Sequence, residues 1–132
     1  MTPDDTEEAL TTAALDLLFP SESEAPIELY KWPLASEPTP AALLAAEGRP
    51  ADTHVETGTA ESEVGPLTKA PPGADDIERG LAARFQTLLE TLNSNLFNVR
   101  VYRVGRVDID VYILGRSAAG AWLGYKTHVV ET

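Results

Sequence analysis

The sequence predicts an α+β fold: a three-layer α/β/α sandwich around a mixed, largely antiparallel sheet that ends in a carboxyl-terminal β-meander. Three observations predict it. Ile77, Leu81, Phe85, Leu88 and Leu92 recur at helical spacing; Val99 and Val101, then Val107, Ile109, Val111 and Ile113, alternate with polar or aromatic residues; and Trp122 to Val130 adds a third extended run. A helix that is apolar on one face needs a surface to cover, and three successive strands supply one.

The elements follow in chain order. Leu10, Ala14, Leu17 and Leu18 fall at helical spacing behind Asp4, Asp5 and Thr6, which cap a helix and set negative charge at its positive end. A first helix is therefore expected from about Asp5 to Leu18. Pro20 and the run Ser21-Glu22-Ser23-Glu24 break it, and Pro26 holds Ala25 extended ahead of Ile27, Leu29 and Tyr30, a short strand ending at Trp32-Pro33. Thr39 as N-cap, Pro40 at the first helical position and Gly48 past the end bracket a second helix over Ala41 to Glu47, anchored by Leu43 and Leu44. Residues 49–74 are poor in large apolar side chains and rich in Pro, Gly, Thr and Glu; they read as long surface loops with one candidate strand at Thr53 to Thr57. Asp75, with Glu78 three residues on, caps the long helix, which runs to about Ser94. Gly105-Arg106 turns the first hairpin of the meander, and Gly115 to Gly120 the second. A chain of 132 residues with 43% apolar content suits a single domain, 1–132, whose core needs no metal or disulfide.

Composition narrows the function classes. There is no cysteine, which excludes a disulfide, a thiolate nucleophile and a thiolate metal cluster, and agrees with a reducing compartment. Met1 to Glu8 carries four carboxylates and no basic residue, and no apolar run has the length of a signal peptide or membrane span, so a cytoplasmic location is expected. The formal net charge of -11 disfavours direct binding to nucleic acid or anionic membrane and favours a basic partner. The charge is lopsided: residues 1–98 hold five basic and eighteen acidic groups, for -13, and the remainder five and three, for +2. Acidity of this size also serves solubility alone.

Catalytic patterns are weak. Asp108 and Asp110 lie two apart on a strand and share a side, a spacing suited to acid/base work or to half of a metal site; the alternative is a solvated face paired with Arg103 or Lys126. His54 and His128, the two imidazoles, belong to no H-x-x-x-H or H-E-x-x-H pattern and read as loop and strand-face residues. No G-x-S-x-G elbow and no phosphate loop occurs. Trp32 and Trp122 read as core packing before contact anchors.

Two further stretches are not required by any sandwich core. One is Leu17-Leu18-Phe19-Pro20-Ser21-Glu22-Ser23-Glu24 with Pro26 and Trp32; the other is Val101-Tyr102-Arg103-Val104-Gly105, Asp110-Val111-Tyr112, Gly115 and the terminal Val129-Val130-Glu131-Thr132. With Phe85-Gln86, Leu88-Leu89 and Ser94-Asn95-Leu96 of the long helix, they resemble the nuclease A inhibitor family over residues 17–34 and 82–132.

The resemblance implies a non-catalytic protein that occludes the active site of a sugar-non-specific, metal-dependent ββα-metal endonuclease of DNA and RNA, in a 1:1 complex. It carries over Glu22 and Thr132 as the groups that reach the nuclease's Mg²⁺ or Mn²⁺, with Glu24 and Glu131 as rim contributors, and implies no metal or cofactor of the chain's own. Hydroxyl and carboxylate oxygens suit such a hard cation. Family members can carry an interface tryptophan in the loop before the long helix, near Gly73 here, whereas this chain has no aromatic residue of that kind between Trp32 and Phe85. Two other readings stay open: the same fold on a different basic protein partner, and a small metal-dependent hydrolase built on Asp108 and Asp110.

Overall fold

The computed structural model describes residues 3–131, with side chains from residue 5 onward. Helix α1 spans Pro3–Ala14, so Asp4, Asp5 and Thr6 lie inside its first turn and not ahead of it. It also stops short of Leu18. Asp16 adopts a positive φ of 57°, which turns the chain while Leu17 still reaches the core. The residues beyond form a two-stranded antiparallel sheet, β1 (Leu18–Phe19) with β2 (Ala25–Pro26).

The main sheet has the order β3-β7-β6-β5-β4, built from β3 (Glu28–Lys31), β4 (Val55–Gly58), β5 (Phe97–Val104), β6 (Asp108–Arg116) and β7 (Trp122–Val130). Every pairing is antiparallel, so the α+β class holds and the sheet is not mixed. The meander β5-β6-β7 forms its centre as the alternation predicts. Gly105, at φ 116°, makes the first turn; a Cβ there would lie 2.3 Å from the Asp108 carbonyl oxygen, so no other residue fits.

Alternation along the strands separates the side chains into two apolar clusters. Val101, Ile109, Val111, Ile113, Leu123, Tyr125 and Val129 pack with Leu10 of α1 and with Phe85, Leu88 and Leu92 of the long helix α4 (Asp76–Asn95). Tyr102, Val104, Tyr112 and Leu114, from the alternate positions, pack with Trp32 and with Leu43 and Leu44 of α2 (Pro40–Ala46). Thr39 caps α2 by accepting from the Ala42 N–H, as its sequence signature requires.

Two further expectations need correction. The stripe on α4 is buried only at Ala82, Phe85, Leu88 and Leu92; Ile77 is 81% exposed and Leu81 44%, because the first turns of the helix overhang the core. Asp75 and Glu78 do form the reciprocal capping box. The segment 49–74 is also more ordered than a loop reading allows. The candidate strand at Thr53 to Thr57 is present as β4, shifted to Val55–Gly58; beyond it come α3 (Ala60–Val64), whose N-cap Thr59 exchanges hydrogen bonds with Ser62, and a 3-10 turn over Gly65–Thr68. Two small residues, Ala60 and Val64, bury this helix against the first cluster.

Candidate functional site

The Ser-Glu-Ser-Glu stretch is the loop between β1 and β2, and it is tied to the end of β7. Phe19, buried at its base, meets Phe85 of α4 edge-on, with ring centroids 6.3 Å apart and planes at 86°. Ser21 fixes the loop itself. Its hydroxyl donates to the Ser23 carbonyl at 2.7 Å and accepts from the Ser23 N–H at 3.2 Å and from the Val130 N–H at 3.2 Å. That uses the whole capacity of one hydroxyl. On the far side of the hairpin, Thr127 Oγ1 donates to the Pro26 carbonyl at 3.0 Å. The loop is thus stitched to β7 on both flanks.

The result is an open groove of about 490 Å³ with Glu22 on one wall, Glu131 and Val129 on another, and Glu63, Leu67 and Arg103 completing it. Three carboxylates face one guanidinium. Arg103 forms ion pairs with both Glu63 of α3 and Glu131. Burial raises the Glu63 carboxyl above the usual carboxylate range despite the pull of Arg103. Burial also works against the charged form of Arg103, but its hydrogen bond to Glu131 and the charge of Glu63 outweigh that and hold it more firmly protonated than usual. Beyond Val130 the backbone continues to be held, since the Glu131 N–H donates to the Val107 carbonyl at 2.9 Å.

The residues singled out in the sequence distribute as follows. Glu22 and Glu131 line one groove; Glu24 is exposed on the same loop but does not line it. Thr132 lies outside the described residues. Arg103 does not pair with Asp108 or Asp110. Asp110 instead meets Arg49 through Oδ2 at 3.0 Å and His128 Nδ1 through Oδ1 at 3.0 Å, while Asp108 lies 3.5 Å from His128 Nε2. Both oxygens of Asp110 are thus spent in a cross-strand network, Asp110 being the register partner of His128. Among the described residues no group of three or more His, Cys, Asp and Glu is placed to hold a metal ion. His54 sits against Glu56 at 3.0 Å, and that contact lowers the Glu56 carboxyl. Trp32 is buried and donates from its indole nitrogen to the Ser36 carbonyl at 2.8 Å; Trp122 is half-buried beneath the Arg100 guanidinium. No helix among the described residues is long and apolar enough to cross a membrane.

Sequence reasoning missed Glu63 and the role of Arg103. The signal for Arg103 was present: in the alternation Val99, Val101, Arg103 it occupies the core-facing register, where an apolar residue is the rule. Glu63 gave none, because its helix is only five residues long.

No curated protein matches the chain. The family model described as nuclease A inhibitor-like protein matches residues 4–132, taking in the loop, the groove and the network alike. With nearly its whole length matched, the chain belongs to the nuclease A inhibitor-like family.

Proposed function

We propose that the protein inhibits a sugar-non-specific, metal-dependent ββα-metal endonuclease by occupying its active site with the Ser21–Glu24 loop and the segment that follows β7. The observation that carries this reading is the meeting of those two segments, a hundred residues apart, at one acidic groove held by the Ser21 hydroxyl and Arg103. Glu22 and position 132 supply oxygen donors to the nuclease's cation, in place of phosphate and water. Glu131 contributes on the rim, and Glu24 from the loop's outer side. The acidic surface of residues 1–98 faces the basic track on which such a nuclease holds its substrate, and speeds encounter. The chain acts without catalysis, as one domain and one copy per nuclease.

A second reading keeps the family fold and changes the partner to another basic protein. The absence of a tryptophan or other large aromatic residue in the turn before α4 favours it, since such anchors each carry about 2 kcal/mol or more of an interface.

The test is a plasmid-cleavage titration with a purified sugar-non-specific endonuclease, comparing a short Gly-Ser extension before Met1 with one after Thr132. The first is expected to inhibit stoichiometrically and the second not to. Equal potency of the two fusions contradicts occlusion by this segment.

A further inference from the structure

Arg103 lines the groove and pairs with two of its three carboxylates. It projects from β5 opposite Val111 and Glu56, toward the face that α3 and α4 cover. Its guanidinium bridges Glu63 on α3 and Glu131 beyond β7. The two pairs differ in kind. The Glu63 side chain is 10% exposed and that of Arg103 19%, so this pair is fixed within the protein; the Glu131 side chain is 57% exposed and stands at the solvent edge. Left to itself an exposed Glu is held by little. Here it inherits the rigidity of an arginine already locked on its other side, and a guanidinium fork is suited to two carboxylates at once.

Two backbone contacts converge on the same stretch: the Val130 N–H on Ser21 Oγ, and the Glu131 N–H on the Val107 carbonyl. The first ties the segment to the acidic loop and the second to the β5-β6 turn. Among the described residues, the Arg103 bridge is what ties it to α3. Among the described residues, the backbone of Glu131 is otherwise held by the hydrogen bond to Val107, a turn residue that is itself exposed.

We propose that Arg103 is a positioning residue: by clamping Glu131 to Glu63 it fixes the direction in which the chain leaves β7, and so pre-organises the segment beside Glu22 for its partner. The inference rests on the inhibitory reading above and assigns to Arg103 no contact with the nuclease. Pre-organisation lowers the ordering cost of binding and acts mainly on the lifetime of the complex.

The experiment uses Arg103→Met, Arg103→Lys and the double variant Arg103→Met with Glu63→Gln, which removes the buried charge that the single variant leaves unpaired. Two measurements are made on each: amide hydrogen exchange at Glu131 by NMR on the free protein, and dissociation from a sugar-non-specific endonuclease with Mg²⁺ present. The double variant is expected to unfold at the same denaturant midpoint as the wild type, yet to lose exchange protection at Glu131 and to dissociate about tenfold faster. Arg103→Lys is expected to recover part of both. Unchanged exchange at Glu131 in a folded variant overturns the positioning role, whatever the nuclease does. Loosened exchange with unchanged dissociation overturns its consequence for inhibition. A wild-type chain that fails to inhibit sinks the proposed function instead, and the inhibitory consequence with it.

Discussion

Replacing Phe85 with Ala tests how much of the protein's stability comes from the core packed beneath the acidic loop. Phe85 is 1% exposed and packs edge-on against Phe19, two residues before Ser21. Removing a buried Phe costs about 3 to 5 kcal/mol, of which the edge-on pair supplies roughly 1. The structure selects the lower end. Phe85 also borders a shallow apolar hollow of about 180 Å³, shared with Pro20, Leu67 and Leu81, so water and flexible neighbours can enter the space it vacates. About 3 kcal/mol is a large share of a domain's usual 5 to 15. In urea, at a slope of roughly 1.5 to 2 kcal/mol per molar, the unfolding midpoint should fall by about 1.5 to 2 M. Tryptophan fluorescence reports it through Trp32, which is buried. Leu81→Ala, on the overhanging turn of the same helix, is the control and should cost under about 0.5 kcal/mol. A Phe85→Ala midpoint within about 0.5 M of wild type would refute the packing argument, and equal losses in both variants would refute the distinction between buried and overhanging turns.

Three further outcomes are expected. Gly124→Ala should abolish cooperative folding or cost about 3 kcal/mol, since its Cβ would lie 1.8 Å from the Ile113 carbonyl oxygen on β6, and backbone in a sheet centre cannot yield; thermal unfolding checks it. Alkali should destabilise the protein: burial, and after it the neighbouring Glu47 carboxylate, push Tyr30 up to about 12 and raise Tyr112, and burial raises Tyr125. The folded chain then holds phenolic protons that the unfolded chain releases near pH 10, so stability falls as pH rises from about 10 toward 12, and Tyr112→Phe should flatten that fall in denaturation series across this range. Association with the nuclease should slow as salt rises, with dissociation little changed, when followed by stopped flow; a rate indifferent to salt contradicts electrostatic steering.

How much of this was legible in the sequence depends on where the information is local. The long helix and the meander announce themselves through periods of 3.6 and 2, and Thr39-Pro40 marks α2 because a cap is a contact between near neighbours. The exposure of Ile77 was not legible, since it depends on where the sheet ends and not on which face of the helix the residue occupies. In 49–74, α3 is too short to show a period, and its capping partner is Ser62, where a Glu or Gln is the usual sign. The stop of α1 at Ala14 goes with the left-handed conformation of Asp16, which the helical spacing of Leu10, Ala14, Leu17 and Leu18 does not reveal. At the candidate site, the family resemblance named Glu22 and Glu131, but their shared groove depends on a hairpin folding back onto β7. The partners of Asp110 were misjudged for the same reason: Arg49 comes from sixty-one residues away, out of a segment with no readable structure.

The most direct test of the central claim is a calorimetric titration of the wild type and of Glu22→Gln against a sugar-non-specific endonuclease, with Mg²⁺ and again with the metal chelated. If the Glu22 carboxylate reaches the nuclease's cation, the substitution weakens binding by about tenfold or more with Mg²⁺, and the penalty largely vanishes when the metal is removed. A penalty of the same size in both conditions, or none in either, contradicts the account.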